Sequence, residues 1–246
     1  MIRGRLTATL ATSDQDKAAA LILRRLCFRT TRGLPPEGEG DRFDAISDHL
    51  IIRANGETLA TFRTHLLPPG DFTQSYSAQF YDLTHLPPAP MLELGRFCLH
   101  PAQPDPDILR LAFAALTHLV DQSAAAALIG CTSFDGTDMS PYQRALTAQR
   151  PQWRNIATTA PETIPLATLV PTAIQRPLPP LLRHYLSLGG TVSDHAVMDR
   201  TLQTCHVFTA LAVAAIPPSR ARALRDLAAD RRGNPYSPPR QTFPPG

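Results

Sequence analysis

The sequence predicts a single α/β or α+β domain, and three observations carry that expectation. The order of patterned segments is strand, helix, hairpin, strand, helix, strand, helix, strand, with no internal repeat and no clean linker. The 246 residues, 43% of them hydrophobic, suffice for one large core. The third observation is the run Met91-Leu92-Glu93-Leu94-Gly95-Arg96-Phe97-Cys98-Leu99, apolar and of strand length, with a carboxylate and a guanidinium set into it. Strict alternation puts Glu93, Gly95 and Phe97 on one face and Leu94, Arg96 and Cys98 on the other. A charge inside a central strand is costly unless something pairs with it or uses it. This segment is therefore either an edge strand with solvated charges or the strand on which a site is built.

Each element has a local reason. Ile2 to Leu10 alternates as a first strand. Ser13 is a helix N-cap with an acid three residues on, opening a helix that runs to Phe28. Thr30 to Gly40, rich in Gly and Pro, reads as a loop closed by Asp41-Arg42-Phe43-Asp44. His49–Arg53 and Thr58–Leu66 flank an Asn-Gly turn, the strongest short hairpin signal. Pro68 to Pro90 is irregular, with Tyr76, Phe80, Tyr81 and Leu83 as anchors. The charged strand follows. Asp107 is expected to cap a helix over 108–120, Ala127–Phe134 is a buried-type strand, and Ser140-Pro141 opens a short helix. One or two weak strands fall in 151–180. Leu181–Leu188 is a helix stopped by Gly189-Gly190, Cys205–Ala214 is a strand, and Pro218–Arg231 is a basic helix. The boundaries that result are a domain over 1–216 and a basic, proline-rich C-terminal helix and tail over 217–246.

Bulk properties exclude several classes. A net charge of +3 is too mild to signal nucleic-acid binding. Cys27, Cys98, Cys131 and Cys205 lie far apart and form no CxxC pattern, so buried free thiols in a reducing cytoplasm are expected. The eight histidines show no HxxxH or HxxH spacing, so no metal is expected. There is no signal peptide and no apolar run of membrane-spanning length, which leaves room only for peripheral contact with the inner membrane face.

Leu21 to Phe28, the Asp41/Asp44 pair, Arg63 and the Glu93-x-x-Arg96-Phe97 strand, taken in order, resemble the GNAT-fold acyltransferases that use acyl carrier protein as donor. Acyl-homoserine-lactone synthases share the pattern. The segments DRFDAISDHL (41–50), LELGRF (92–97), GCTSFD (130–135) and PPLLRHYLSLGGTVSDHAVMD (179–199) look more like the ornithine N-acyltransferases that begin ornithine-lipid synthesis. The resemblance spans roughly residues 20 to 215. It implies a GNAT-like fold, a central twisted mixed sheet flanked by helices. It also implies transfer of a long, 3-hydroxylated acyl chain from acyl carrier protein to the α-amine of ornithine, giving lyso-ornithine lipid. One departure is informative. Acetyl-CoA users carry a glycine-rich loop here that holds the CoA pyrophosphate at a helix N-terminus. This chain has Ala102-Gln103-Pro104-Asp105-Pro106-Asp107, without glycine and with two acids. A carrier-protein donor, needing no separate cofactor, suits that loop better, with Arg110, Arg144, Arg150 and Arg154 as docking cations.

On this resemblance Glu93 is the candidate base, acting directly or through water, or else a partner for Arg63 or Arg96. Asp41 and Asp44 would bind the cationic ends of ornithine, or serve turns. Arg25, Arg63 and Arg96 would hold a carboxylate or pair with acids. Phe28 and Phe97 would line the acyl channel. Ser133 and Cys131 are not expected to act as nucleophiles, because direct attack needs no acyl-enzyme. The alternatives are a synthase of another N-acyl amino acid or of an acyl-homoserine lactone, and a non-catalytic protein that binds acyl carrier protein or lipid.

Overall fold

The computed structural model describes residues 1–103, 105–147 and 160–229. Its strands are β1 (Ile2–Arg3), β2 (Leu6–Leu10), β3 (Asp48–Ala54), β4 (Glu57–Leu67), β5 (Met91–Leu99), β6 (Ala127–Asp135), β7 (Thr163–Pro165), β8 (Thr191–Asp199) and β9 (Thr204–Ala212). Its helices are α1 (Asp14–Phe28), α2 (Pro106–Ser123), α3 (Gln143–Thr147), α4 (Pro180–Ser187) and α5 (Pro218–Ala229). The strands form one mixed sheet in the order β1-β2-β3-β4-β5-β6-β9-β8-β7. Of these pairs only β5–β6 is parallel, and α2 makes the crossover that a parallel pair requires. Helix α2 buries Ile108, Leu111 and Leu116 against Leu50, Ile52, Phe62, Leu92 and Leu94. The other face is covered by the 68–90 segment, where Tyr81 and Leu83 pack on Met91, Ile129 and Phe208. The expected central mixed sheet flanked by helices is present.

Local signals hold where a few adjacent residues suffice. The Ser13 hydroxyl accepts from the Asp16 N–H at 3.1 Å and donates to its carboxylate at 2.9 Å. Asn55 and Gly56 both take positive φ, 50° and 84°, as a primed hairpin turn demands. Four expectations need correction. The first strand breaks at Gly4 (φ 57°) into β1 and β2. Helix α2 is capped by Asp105, whose side chain accepts from Asp107 N–H at 2.9 Å, with Pro106 at its first position. Strand β8 was not expected at all, because a bulge between Val192 and Ala196 spoils its alternation. Finally, α5 is not a separate extension: Leu224 packs on the α2 core and Arg225 forks onto Asp121. The expected tail beyond 229 lies outside the described residues.

A bulge in β5 decides the site. Thr61 pairs with Cys98 and Arg63 with Gly95, so Arg96 and Phe97 together oppose the single residue Phe62. Arg96 takes φ 54°, an unusual conformation for a non-glycine residue. Alternation is therefore broken. Arg96 joins the side of Arg63, while Phe97 crosses to stack on Phe62 with ring centroids 5.6 Å apart. The pairing of β5 with β6 runs only from Met91↔Ala127 to Glu93↔Ile129. At the point of divergence sits Gly130, where a Cβ would lie 2.3 Å from the Leu94 carbonyl oxygen. Only glycine allows the strands to meet there and then part.

Candidate active site

The fork between β5 and β6 opens a cavity of about 370 Å³. Arg63, Tyr76 and Arg96 line it together with Glu93 and the apolar Phe97, Leu99, Leu109, Leu181 and Tyr185. Glu93 is buried. Its Oε1 accepts from Ser75 Oγ (2.7 Å) and Ser77 N–H (2.8 Å), and its Oε2 accepts from Tyr76 N–H (2.8 Å). A carboxylate has about four acceptor directions, so these three bonds hold the side chain rigid and leave one direction on Oε2. Neither Arg63 nor Arg96 pairs with it in the recorded ion pairs.

The two arginines pair instead with the acids expected to hold ornithine. Arg63 donates to both carboxylate oxygens of Asp41 and to Asp44, and Arg96 donates to Asp41 at 3.1 Å. Asp41 also caps the 3-10 turn Arg42–Ala45 by accepting from Phe43 N–H, and Asp44 returns the bond from the Asp41 N–H. Burial disfavours ionisation of Asp41 and Asp44, but the arginines outweigh it. The bonds from Arg63 hold Asp41 below its usual range, and those from Arg24 hold Asp44 well below. Both acids are therefore committed to guanidiniums rather than free for a substrate. Arg25 is a correction: it is exposed on α1, and its neighbour Arg24 is the buried cation, paired with Glu39 and Asp44. The buried stripe of α1 runs through Ala20, Leu23 and Arg24 and stops short of Arg25. Arg96 spends one donor on Asp41, and its Nε lies 3.9 Å from Glu39 Oε1. Its buried Nε has no hydrogen-bond partner among the described residues, and its guanidinium stands 5.8 Å from the Phe28 ring and 5.6 Å from the Tyr76 ring. Phe28 and Phe97 both line the cavity.

Several lining residues escaped the sequence reading. Tyr76 bridges the cationic cluster and Glu93, and burial pushes its hydroxyl up to about 12. Asp199 and His206 also line the cavity, but they sit on β8, which had not been expected, and on β9. Ser133 faces His206 across the β6–β9 ladder with no hydrogen bond recorded between them. Burial pushes the Cys131 thiol up to about 12, so it is no nucleophile at neutral pH. At the expected donor loop, Asp105 occupies the Asp107 N–H at the start of α2, and both acids carry arginine partners. Of the arginines expected to dock a carrier protein, Arg110 is exposed beside Asp107, while Arg150 and Arg154 lie outside the described residues.

A family model described as an acetyltransferase (GNAT) domain matches residues 23–113, the span that holds Asp41, Asp44, Arg63, Glu93 and Arg96. The L-ornithine N(alpha)-acyltransferase of Rhodobacter capsulatus is 30% identical over 194 residues, 69% of this chain and 72% of that protein. This chain belongs to the L-ornithine N(alpha)-acyltransferase family. It is an acyltransferase. The family member from Agrobacterium fabrum is 26% identical and covers 87% of this chain and 83% of its own length. Among solved structures, FeeM, an N-acyl amino acid synthase from uncultured soil microbes, shares the fold. Its TM-score is 0.51 at 13% identity, covering 85% of this chain and 93% of its own. As in the sequence, no helix among the described residues is long and apolar enough to cross a membrane.

Proposed function

We propose that this chain moves a long 3-hydroxyacyl group from acyl carrier protein to the α-amine of L-ornithine, releasing lyso-ornithine lipid. The observation that carries this reading is Glu93 at the strand fork, a buried carboxylate with one acceptor direction left, in a cavity lined by guanidiniums and apolar side chains. The names of the family members support ornithine as acceptor. Arg96, which lines the cavity and gives one hydrogen bond to Asp41, anchors the substrate α-carboxylate. The α-ammonium loses a proton to Glu93 Oε2, directly or through water, because only the free amine is a nucleophile. The amine nitrogen then attacks the thioester carbonyl. The C–N bond forms, the C–S bond breaks, and the pantetheine thiol leaves with a proton. The acyl chain lies along Phe97, Leu99, Leu109 and Leu181. The capped, acid-bearing start of α2 offers no cradle for a CoA pyrophosphate and favours a carrier-protein donor. The product is a lipid, and the exposed Arg220 and Arg222 of α5 suit contact with an anionic membrane face.

Mass spectrometry of lipids from cells expressing the chain tests the reading. An N-acylated ornithine is expected with the wild type and absent with Glu93→Gln. A folded wild type that yields no N-acyl amino acid overturns it, and an acyl-homoserine lactone instead would move the assignment to that class.

A further inference from the structure

The same cavity contains a carboxylate that no cation among the described residues neutralises. Asp199 ends β8, lines the cavity and is half-buried. Its Oδ1 accepts from Leu202 N–H at 3.0 Å, and among the described residues no arginine, lysine or histidine forms an ion pair with it. The other acids nearby are committed: Glu39, Asp41 and Asp44 to three arginines, Glu93 to its three donors. Register brings a histidine beside it. Asp199 pairs with Thr204 and Val197 with His206, so Asp199 and His206 are diagonal neighbours on one face of the sheet. Cys131 and Ser133 of β6 share that face through their pairing with Phe208 and His206.

His206 is 2% exposed, and its Nε2 has no hydrogen-bond partner among the described residues. The Tyr81 hydroxyl donates its one proton to the His206 carbonyl oxygen at 3.0 Å, an atom that can only accept. Its oxygen also lies 3.1 Å from His206 Nδ1, and this assigns the ring proton to Nδ1 and a bare lone pair to Nε2. Burial holds the imidazole at about 4, so it is neutral at physiological pH and adds no positive charge beside Asp199. The cavity thus offers a spare carboxylate oxygen with a neutral, buried imidazole beside it. Glu93, Arg96, Asp199 and His206 all line this one cavity.

We infer that Asp199, with His206 beside it, receives the side-chain ammonium of the acceptor amino acid and so selects a diamino acid over a neutral one. The inference rests on the amino-acid acyltransferase reading above and names its specificity determinant. An ammonium has three N–H donors and no acceptor, and Asp199 offers it a carboxylate oxygen. Arg96 meets the α-carboxylate, Glu93 the α-amine, and Asp199 the distal cation. The sequence alone places none of the three within reach of the others.

The test compares L-ornithine with L-norvaline, which has the same carbon chain without the terminal amine, as acceptors for the purified full chain. Wild type is expected to prefer ornithine by on the order of 10–10²-fold in kcat/KM, the worth of a charge-assisted contact. Asp199→Asn keeps an oxygen for the Leu202 N–H, and should bring the ornithine/norvaline ratio close to one, with the loss carried by KM for ornithine. His206→Gln should lower the ratio less. A wild type that uses both amino acids equally, or an Asp199→Asn enzyme that keeps the wild-type ratio, refutes the inference and leaves the acyltransferase reading standing. A folded wild type that acylates neither amino acid refutes both.

Discussion

Replacing Glu93 by glutamine changes two properties at once, and the structure says how much of each. As a carboxylate, Glu93 offers only acceptors to Ser75 Oγ, Ser77 N–H and Tyr76 N–H. A glutamine must put its NH₂ at one of the two oxygen positions. At the Oε2 position it meets the Tyr76 N–H donor to donor; at the Oε1 position it meets the Ser77 N–H. Either way one buried backbone donor loses its partner, at a cost of about 1–3 kcal/mol. For a chain of this size that lowers the unfolding midpoint by roughly 2–12 °C. Catalysis loses its proton acceptor as well, which is worth on the order of 10²–10⁴ in rate. The assay is release of free thiol from an acyl thioester donor with saturating ornithine, run well below the variant's melting temperature. If a folded Glu93→Gln enzyme retains activity within a few-fold of wild type, the base assignment is wrong, whatever happens to its stability.

Other perturbations separate structure from chemistry. Arg24→Met leaves Glu39 and Asp44 without their shared buried cation and is expected to cost about 3–5 kcal/mol, read as a drop of roughly 6–20 °C in thermal midpoint. Arg25→Met, on the exposed side of the same helix, should stay within about 0.5 kcal/mol, so equal effects of the two would contradict the placement of α1. Gly130→Ala forces the Leu94 carbonyl away from a Cβ at 2.3 Å; about 1–3 kcal/mol of stability and on the order of 10² in rate should go with it, and unchanged melting and turnover would argue against the fork. His206 is neutral in the folded protein down to about pH 4, while the unfolded chain takes up a proton below about 6.5. The unfolded state therefore binds more protons in that window, and stability falls as pH drops from about 6.5 to about 4, by up to about 3 kcal/mol. Burial lowers His49 and His184 in the same direction. Melting curves across the window should show a shallower slope for His206→Asn, and an unchanged slope would remove His206 as the source.

Short-range chemistry was legible along the chain. Ser13 caps α1 through atoms three residues apart, and Asn55-Gly56 turns the β3–β4 hairpin because both residues accept positive φ. The acid and the guanidinium on the strand 91–99 marked the site before any fold was known, because a charge in a buried strand needs a reason. The ordered set of charged residues across 21–97 also pointed to the acyltransferase family that the relatives bear out.

What the tertiary structure decided is which of these groups meet. Whether Arg24 or Arg25 is buried depends on how α1 is rolled against the sheet, not on the composition of its last turn. Arg96 reaches the acidic cluster only because a bulge opposite Phe62 reverses the alternation, and a bulge is a property of two paired strands rather than of one sequence. Asp41 and Asp44 look like substrate ligands in isolation, yet in the fold they are already neutralised by arginines from α1, β4 and β5. Asp199 and His206 become neighbours through the register of β8 on β9, and Tyr81, 125 residues from His206, sets the ring's proton. Capping and turns are decided within a few bonds; burial, ion pairing and free acceptors depend on what distant segments bring, so only the packed chain reveals them.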